Sequence, residues 1–336
     1  MHASRKLRGV ITLPLVASAL LLLDSSVWKA IAVAQAPAPA GAYSLLKGAI
    51  DVHLHIDPDV SETQAVDAVD IARMRFARAQ GIRGFVIKNH WETTAAIAYL
   101  IRKEIPGLEV FGGIALNRNQ GGINLAAVEY MATQMKGRPF RVVWMPTRDS
   151  ENAVRRSNQP NRPFVRISRD GELLPEVNQM IGLIARNGLV LATGHSSPEE
   201  GLLLVREGRK QGVNHMIVTH PMDAGVFMTE AQMQEAASLG AFLEFDLRNI
   251  LAGKIARPFP FGPIAGGRVE MIRKLGPEHV IIDEFWSKSS EEPREYGGPD
   301  EMALWVKAMN AQGFSNRELD LMVKDNPATL LGLSVQ

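Results

Sequence analysis

The chain is predicted to fold as a single α/β domain, a (β/α)8 TIM barrel, behind an N-terminal signal peptide. Three observations carry this reading. From residue 47 onward, short β-branched runs alternate with amphipathic segments. Eight such runs occur in a length that suits eight βα units. Polar, titratable side chains gather at the C-terminal ends of the runs, where barrel enzymes place their chemistry.

The first residues differ from the rest. Arg5, Lys6 and Arg8 precede an apolar run from Val10 to Leu23, and Ala32-Val33-Ala34 offers the small residues of a cleavage site. Residues 1–34 are read as a signal peptide, 35–46 as a linker and 47–336 as the barrel. The apolar run is short of the about 20 residues a membrane-spanning helix needs, so no stable span is expected after cleavage. Export to the periplasm or the exterior follows as an expectation. The chain has no cysteine, so it builds no disulfide framework, and any metal must be held by His, Asp, Glu or Lys.

The expected strands are Ala49–His55, Gly84–Lys88, Glu109–Leu116, Arg141–Met145, Leu189–Thr193, Asn214–Thr219, Ala241–Leu247 and Val280–Ile282. Helix starts are marked by Ser61-x-x-Gln64, by Ser197-x-x-Glu200 with Pro198 at the first helical position, and by Thr229-x-x-Gln232; Gly81, Gly212 and Gly240 mark the corresponding stops. Right-handed crossovers would close the units in chain order. Two stretches are too long for ordinary loops and are read as insertions, one near 149–174 and one near 287–299.

Hydrophobic residues at 46% and charged residues at 22% fit an ordinary globular core. Lys+Arg 37 against Asp+Glu 36 leaves no basic excess for phosphate contacts, so nucleic acid is not an expected partner and a small molecule is. Association into a homo-oligomer is left open.

The histidines sort by position. His2 leaves with the leader, and His215 and His279 fall at strand starts, the face of a barrel associated with stability. His53, His55, His90, His195 and His220 fall at strand ends or just beyond them. With a period of two, Asp51, His53 and His55 share one face of the first strand, while Ile50, Val52 and Leu54 share the other. The same alternation pairs Lys88 with His90, Thr193 with His195 and Val218 with His220. So many imidazoles converging on one barrel end call for a metal or for hydrogen-bonding partners, and His53, His55, His195 and His220 are read as metal ligands. The carboxylate ligand is expected from HVIIDEFW on the eighth strand; Asp283 is preferred, with Glu284 as the alternative. Glu244, Asp246 and Arg248 share a face of the seventh strand, where a carboxylate–arginine pair that orients substrate competes with a ligand role for Glu244.

Taken together, His53-Leu54-His55, the lone histidines in ATGHSS and VTHPMD, the acid in VIIDEF and the closing DNPATLLGL resemble the amidohydrolase superfamily of metal-dependent hydrolases over most of the chain. The resemblance implies a barrel with one or two divalent metals, usually Zn2+, that activate water for attack on an amide, ester, lactone or related carbon centre. Members with two metals commonly carry a bridging carboxylated lysine or a glutamate after strand four, and VVWMPT has neither. Lys88 therefore has three readings: a carbamylated bridge between metals, a general base with lowered pKa, or an ammonium that binds an anionic substrate group.

The working arrangement places Zn2+ at His53, His55 and Asp283, with a second site at His195 and His220. Asp283 also moves the proton from water to leaving group, as the resemblance implies. His90, Arg118, Arg248 and Glu244 line the rim as candidates for substrate orientation. Two rival functions remain: a metal-dependent decarboxylase on the same barrel, and an exported metal- or solute-binding protein.

Overall fold

Alternating apolar runs and capped helices build one parallel sheet wound in chain order. In this computed structural model the described residues are 46–56, 69–222, 225–246, 265–283 and 309–335. The signal peptide, most of the linker, the Ser61 start signal, Arg248, Glu284 and the 287–299 insertion lie outside them. Among the described residues no helix is long and apolar enough to cross a membrane.

The strands are β1 (Ile50–His55), β2 (Gly84–Lys88), β3 (Glu109–Ala115), β4 (Phe140–Trp144), β5 (Val190–Ala192), β6 (Met216–Val218), β7 (Ala241–Asp246) and β8 (Val280–Asp283). They pair in that order and every ladder is parallel. β8 comes back beside β1, so the sheet is a nearly closed barrel. The expected strand bounds hold to within about two residues.

Between the strands lie α1 (Val69–Ala79), α2 (Ala95–Glu104), α3 (Leu125–Thr133), α4 (Glu151–Arg156), α5 (Pro175–Arg186), α6 (Pro198–Lys210), α7 (Glu230–Ser238) and α8 (Ala265–Leu275). Two of the expected caps form as reciprocal boxes. Ser197 Oγ accepts from the Glu200 N–H while Glu200 Oε2 accepts from the Ser197 N–H. Thr229 and Gln232 do the same at α7. Each N-cap is worth about 1 kcal/mol. A third box, Ser315 with Glu318, opens the closing helical run α9 (Asn316–Asp320), a π turn at Leu321–Asp325 and α10 (Asn326–Leu330).

The buried apolar residues fall into two clusters. One joins strands to helices, with Phe85, Ile87, Ile114, Val143 and Leu191 packed against residues such as Ala98, Ile181 and Leu204. The other is the barrel interior: Ile50, Val52, Val86, Phe111, Ala115, Val142, Trp144, Val190, Ala192, Ile217 and Ile281, plugged by Ala328, Leu330 and Leu331 of the closing run. Asn326 secures the plug, its Nδ2 donating to the Val280 and Pro277 carbonyls. His215 lies beside that run, near Gly332, at the barrel end opposite the site.

Strict alternation needs one correction on β1. The ladder with β2 shifts register between Asp51 and Leu54, a bulge. Ile50 and Val52 belong to the interior cluster, while Leu54 belongs to the outer one. The extra residue lets His53 and His55 share the interior face with Ile50 and Val52, and it leaves Asp51 on the other side of the bulge.

The 149–174 insertion contains α4 and a two-residue antiparallel ladder, Ser168–Arg169 with Glu172–Leu173. It braces the loop after β5, because Ser150 Oγ and Asn152 Nδ2 both donate to the His195 carbonyl.

Candidate functional site

All eight strands deliver a polar group to one end of the barrel. Beneath these groups the barrel interior is apolar. His53, Lys88, His90, Glu244 and Asp283 are all buried.

Five imidazoles form a closed ring. Centroid separations are 4.8 Å from His220 to His53, 4.8 Å from His53 to His55, 5.0 Å from His55 to His90, 5.6 Å from His90 to His195 and 6.0 Å from His195 back to His220. The ring is gripped by charge on two sides. Glu244 Oε1 lies 2.5 Å from His53 Nδ1 and 3.2 Å from His220 Nδ1. Lys88 Nζ lies 2.8 Å from His53 Nε2 and 5.4 Å from the centroid of the Trp144 ring.

Two of the histidines reach the ring by backbone devices that alternation does not foresee. The β5 and β6 ladders stop at Ala192 and Val218. Extended backbone from there would carry His195 and His220 to the outer face, since Ala192 faces in and Val218 faces out. Instead Gly194 takes φ +64°, at a place where a Cβ would meet the Met145 carbonyl oxygen at 2.2 Å. His220 itself takes φ +49°, a conformation that costs a non-glycine residue of order 1 kcal/mol or more and clusters at functional sites.

Electrostatics keep three of the five imidazoles in ligand form. Burial is the main cause that holds His53, His90 and His195 well below the usual 6.5, and the Lys88 charge comes next for each. Arg148, exposed on the loop after β4, adds to the effect at His90 and His195. A neutral imidazole has a lone pair to offer a metal. The sign for stability follows. Above the unfolded value of 6.5 both states hold neutral rings; below it the unfolded chain takes up protons that the folded chain refuses. The metal-free protein is therefore expected to have a lower urea midpoint at about pH 5.5 than at about pH 7.5, in a window above the carboxylate range. An unchanged or higher midpoint at the lower pH would contradict the neutral ring.

The fit to a divalent cation rests on the donor set. Ligand atoms of His53, His220 and Glu244 lie within 4.8 Å of one another, the one such group among the described residues. As carboxylates, Glu244 and Asp283 outnumber Lys88, and a cation offsets that buried excess. Glu244, weighed from the sequence mainly as a substrate-orienting partner of an arginine, stands against two histidines instead. His55 and His195 complete the ring at its open side. Asp283 is buried at the last position of β8, opposite Asp246 in the ladder, on the face that Ile281 turns to the interior. Arg118 lies in a short 3-10 turn after β3, its side chain exposed and its backbone N–H held by Asp149 Oδ2.

Sequence reading passed over Asn117 at this end and took 144–149 only as a pocket-wall loop. The rule that strand ends carry chemistry applies to Asn117, which follows β3 as His90 follows β2. Trp144 is buried in the interior, and its ring centroid is 6.3 Å from that of His53.

No curated protein matches this sequence. Among solved structures, an organophosphorus hydrolase from Deinococcus radiodurans superposes with a TM-score of 0.56 at 16% identity, over 87% of this chain and 94% of that one. An amidohydrolase from Pseudomonas aeruginosa gives 0.57 at 11%, over 86% and 98%. Dipeptidase AC, a metallopeptidase of family M19, gives 0.56 at 12%, over 86% and 99%. The likeness to amidohydrolase-type barrels read from the motifs is thus shown at the level of the fold. Residues 48–244, more than half of the chain and everything from β1 into β7, match the model of a family of unknown function (DUF6282), and the chain belongs to that family.

Proposed function

We propose that this protein is a metal-dependent hydrolase, with a divalent cation, zinc in our reading, held by His53, His220 and Glu244 and flanked by His55, His195 and Asp283. The observation that carries this is the closed imidazole ring with one carboxylate oxygen against two of its members, at the catalytic end of a barrel. The similar folds named above belong to hydrolases, which supports the same class. The substrate in this reading is a small molecule with an amide, ester, lactone or related bond, and export rests on the leader sequence.

Such a cation, when bound, polarises the bond under attack and makes hydroxide available near neutral pH. The chain supplies the rest. Glu244 sets Oε1 against the Nδ1 atoms of both His53 and His220, which gathers the three donors that would hold the cation. Lys88 Nζ, 2.8 Å from His53 Nε2, sets the positive charge at the base of the pocket. Asp283 is the carboxyl placed to take up a proton and return it to the leaving group. An exported solute-binding protein normally offers two lobes around a cleft, and a single barrel argues against that rival.

The test is a panel of lactones, cyclic amides and esters given to protein stripped by a chelator and then supplied with Zn2+. Turnover should appear only with metal and vanish in His53→Ala. Full turnover in the stripped protein, or in His53→Ala, overturns the reading.

A further inference from the structure

Asn117, fully buried just beyond β3, makes four hydrogen bonds that fix its amide. Its Oδ1 accepts from the Thr147 N–H at 2.9 Å and the Asp149 N–H at 3.0 Å. Its Nδ2 donates to the His90 carbonyl at 2.7 Å and to Thr147 Oγ1 at 2.7 Å. Backbone N–H groups require an acceptor, so Oδ1 must face them and Nδ2 must face Thr147.

Thr147 Oγ1 therefore receives one proton and has one to give. Its other neighbour is His90 Nδ1, at 2.9 Å, and no different acceptor for the hydroxyl is present among the described residues. The hydroxyl proton goes to Nδ1. An imidazole that accepts at Nδ1 carries its own proton at Nε2.

We propose that the Asn117–Thr147 pair holds His90 as a fixed Nε2–H donor in the barrel mouth, where it stabilises negative charge developing on the substrate and does not ligate metal. Ligation through Nε2 would move the proton to Nδ1 and leave the buried Thr147 hydroxyl without an acceptor, a loss that buried polar groups seldom bear. The ring is buried, 5.0 Å from His55 and 5.6 Å from His195, so it borders the same space as the ligand candidates. Donors preset toward developing charge are among the largest contributors to catalysis. The charge-stabilising role rests on the hydrolase reading; the proton position does not.

The full-length protein with 15N-labelled histidine decides between the two forms. His90, assigned by its loss in His90→Gln, should show a protonated Nε2 and an unprotonated Nδ1, unchanged when Zn2+ is added. Thr147→Val should blur that pattern into a mixture of tautomers and Thr147→Ser should restore it. On a panel substrate that the wild type hydrolyses, Thr147→Val should lower kcat by about 10- to 100-fold while KM changes little, with recovery in Thr147→Ser. A protonated Nδ1, or a His90 Nε2 signal that moves on addition of Zn2+, overturns the proposal. If no panel substrate is hydrolysed, the hydrolase reading fails while the nitrogen spectrum still decides the tautomer.

Discussion

Glu244→Gln is expected to lose bound metal and to lower kcat/KM by about 10³-fold or more, since a cation's contribution of several kcal/mol converts at tenfold per 1.36 kcal/mol. Glutamine keeps the shape of the side chain and removes the charge. The carboxylate oxygen at 2.5 Å from His53 Nδ1 and 3.2 Å from His220 Nδ1 becomes an amide group, which neither binds a cation strongly nor offsets Lys88. Metal content and turnover should fall together while the fold survives. The outcome also separates two arrangements. The sequence favours His53, His55 and Asp283 as one metal's ligands, whereas the fold gathers His53, His220 and Glu244. Retention of metal and activity in Glu244→Gln would return the weight to Asp283.

Gly113→Ala should damage the barrel and the floor of the site together. Gly113 lies on the inward face of β3 between Phe111 and Ala115, and an added Cβ would meet the Val142 carbonyl oxygen at 2.3 Å and Trp144 Cζ3 at 2.5 Å. Neither can retreat cheaply: the first is strand backbone, and the second is a buried indole that fills the interior. Overpacking of this kind costs about 3 kcal/mol, which lowers Tm by about 5–10 °C in a domain of this size. Because the indole stands under Lys88 and beside His53, the same push should weaken metal retention. Gly201→Ala in α6 is the control, for an added Cβ there meets nothing within 4 Å. Equal midpoints for the two variants would show that Trp144 does not hold the floor of the site.

The barrel was legible because its signals are local. Strand runs, the capping boxes at Ser197 and Thr229 and the plug sequence each act over a few residues, and the structure places them where the sequence does. His53 and His55 were legible for the same reason, although a bulge, not strict alternation, brings them to the interior alongside Ile50 and Val52. Position alone marked His195 and His220 as strand-end residues, but the turns that aim them inward depend on Gly194 and on a left-handed His220, which no hydrophobic pattern encodes. The contacts among Asn117, Thr147 and His90 span 27, 30 and 57 positions along the chain, so only the closed barrel brings them together.

The central claim is that this end of the barrel holds metal through His53, His220 and Glu244. Elemental analysis of the purified protein, counted as divalent ions per chain in wild type, His53→Ala and Glu244→Gln, tests it most directly. The structure predicts at least one ion per wild-type chain and its loss in both variants, with all three proteins folded. Wild-type protein that hydrolyses a panel substrate with no metal bound, or variants that keep the full complement of metal, would contradict it.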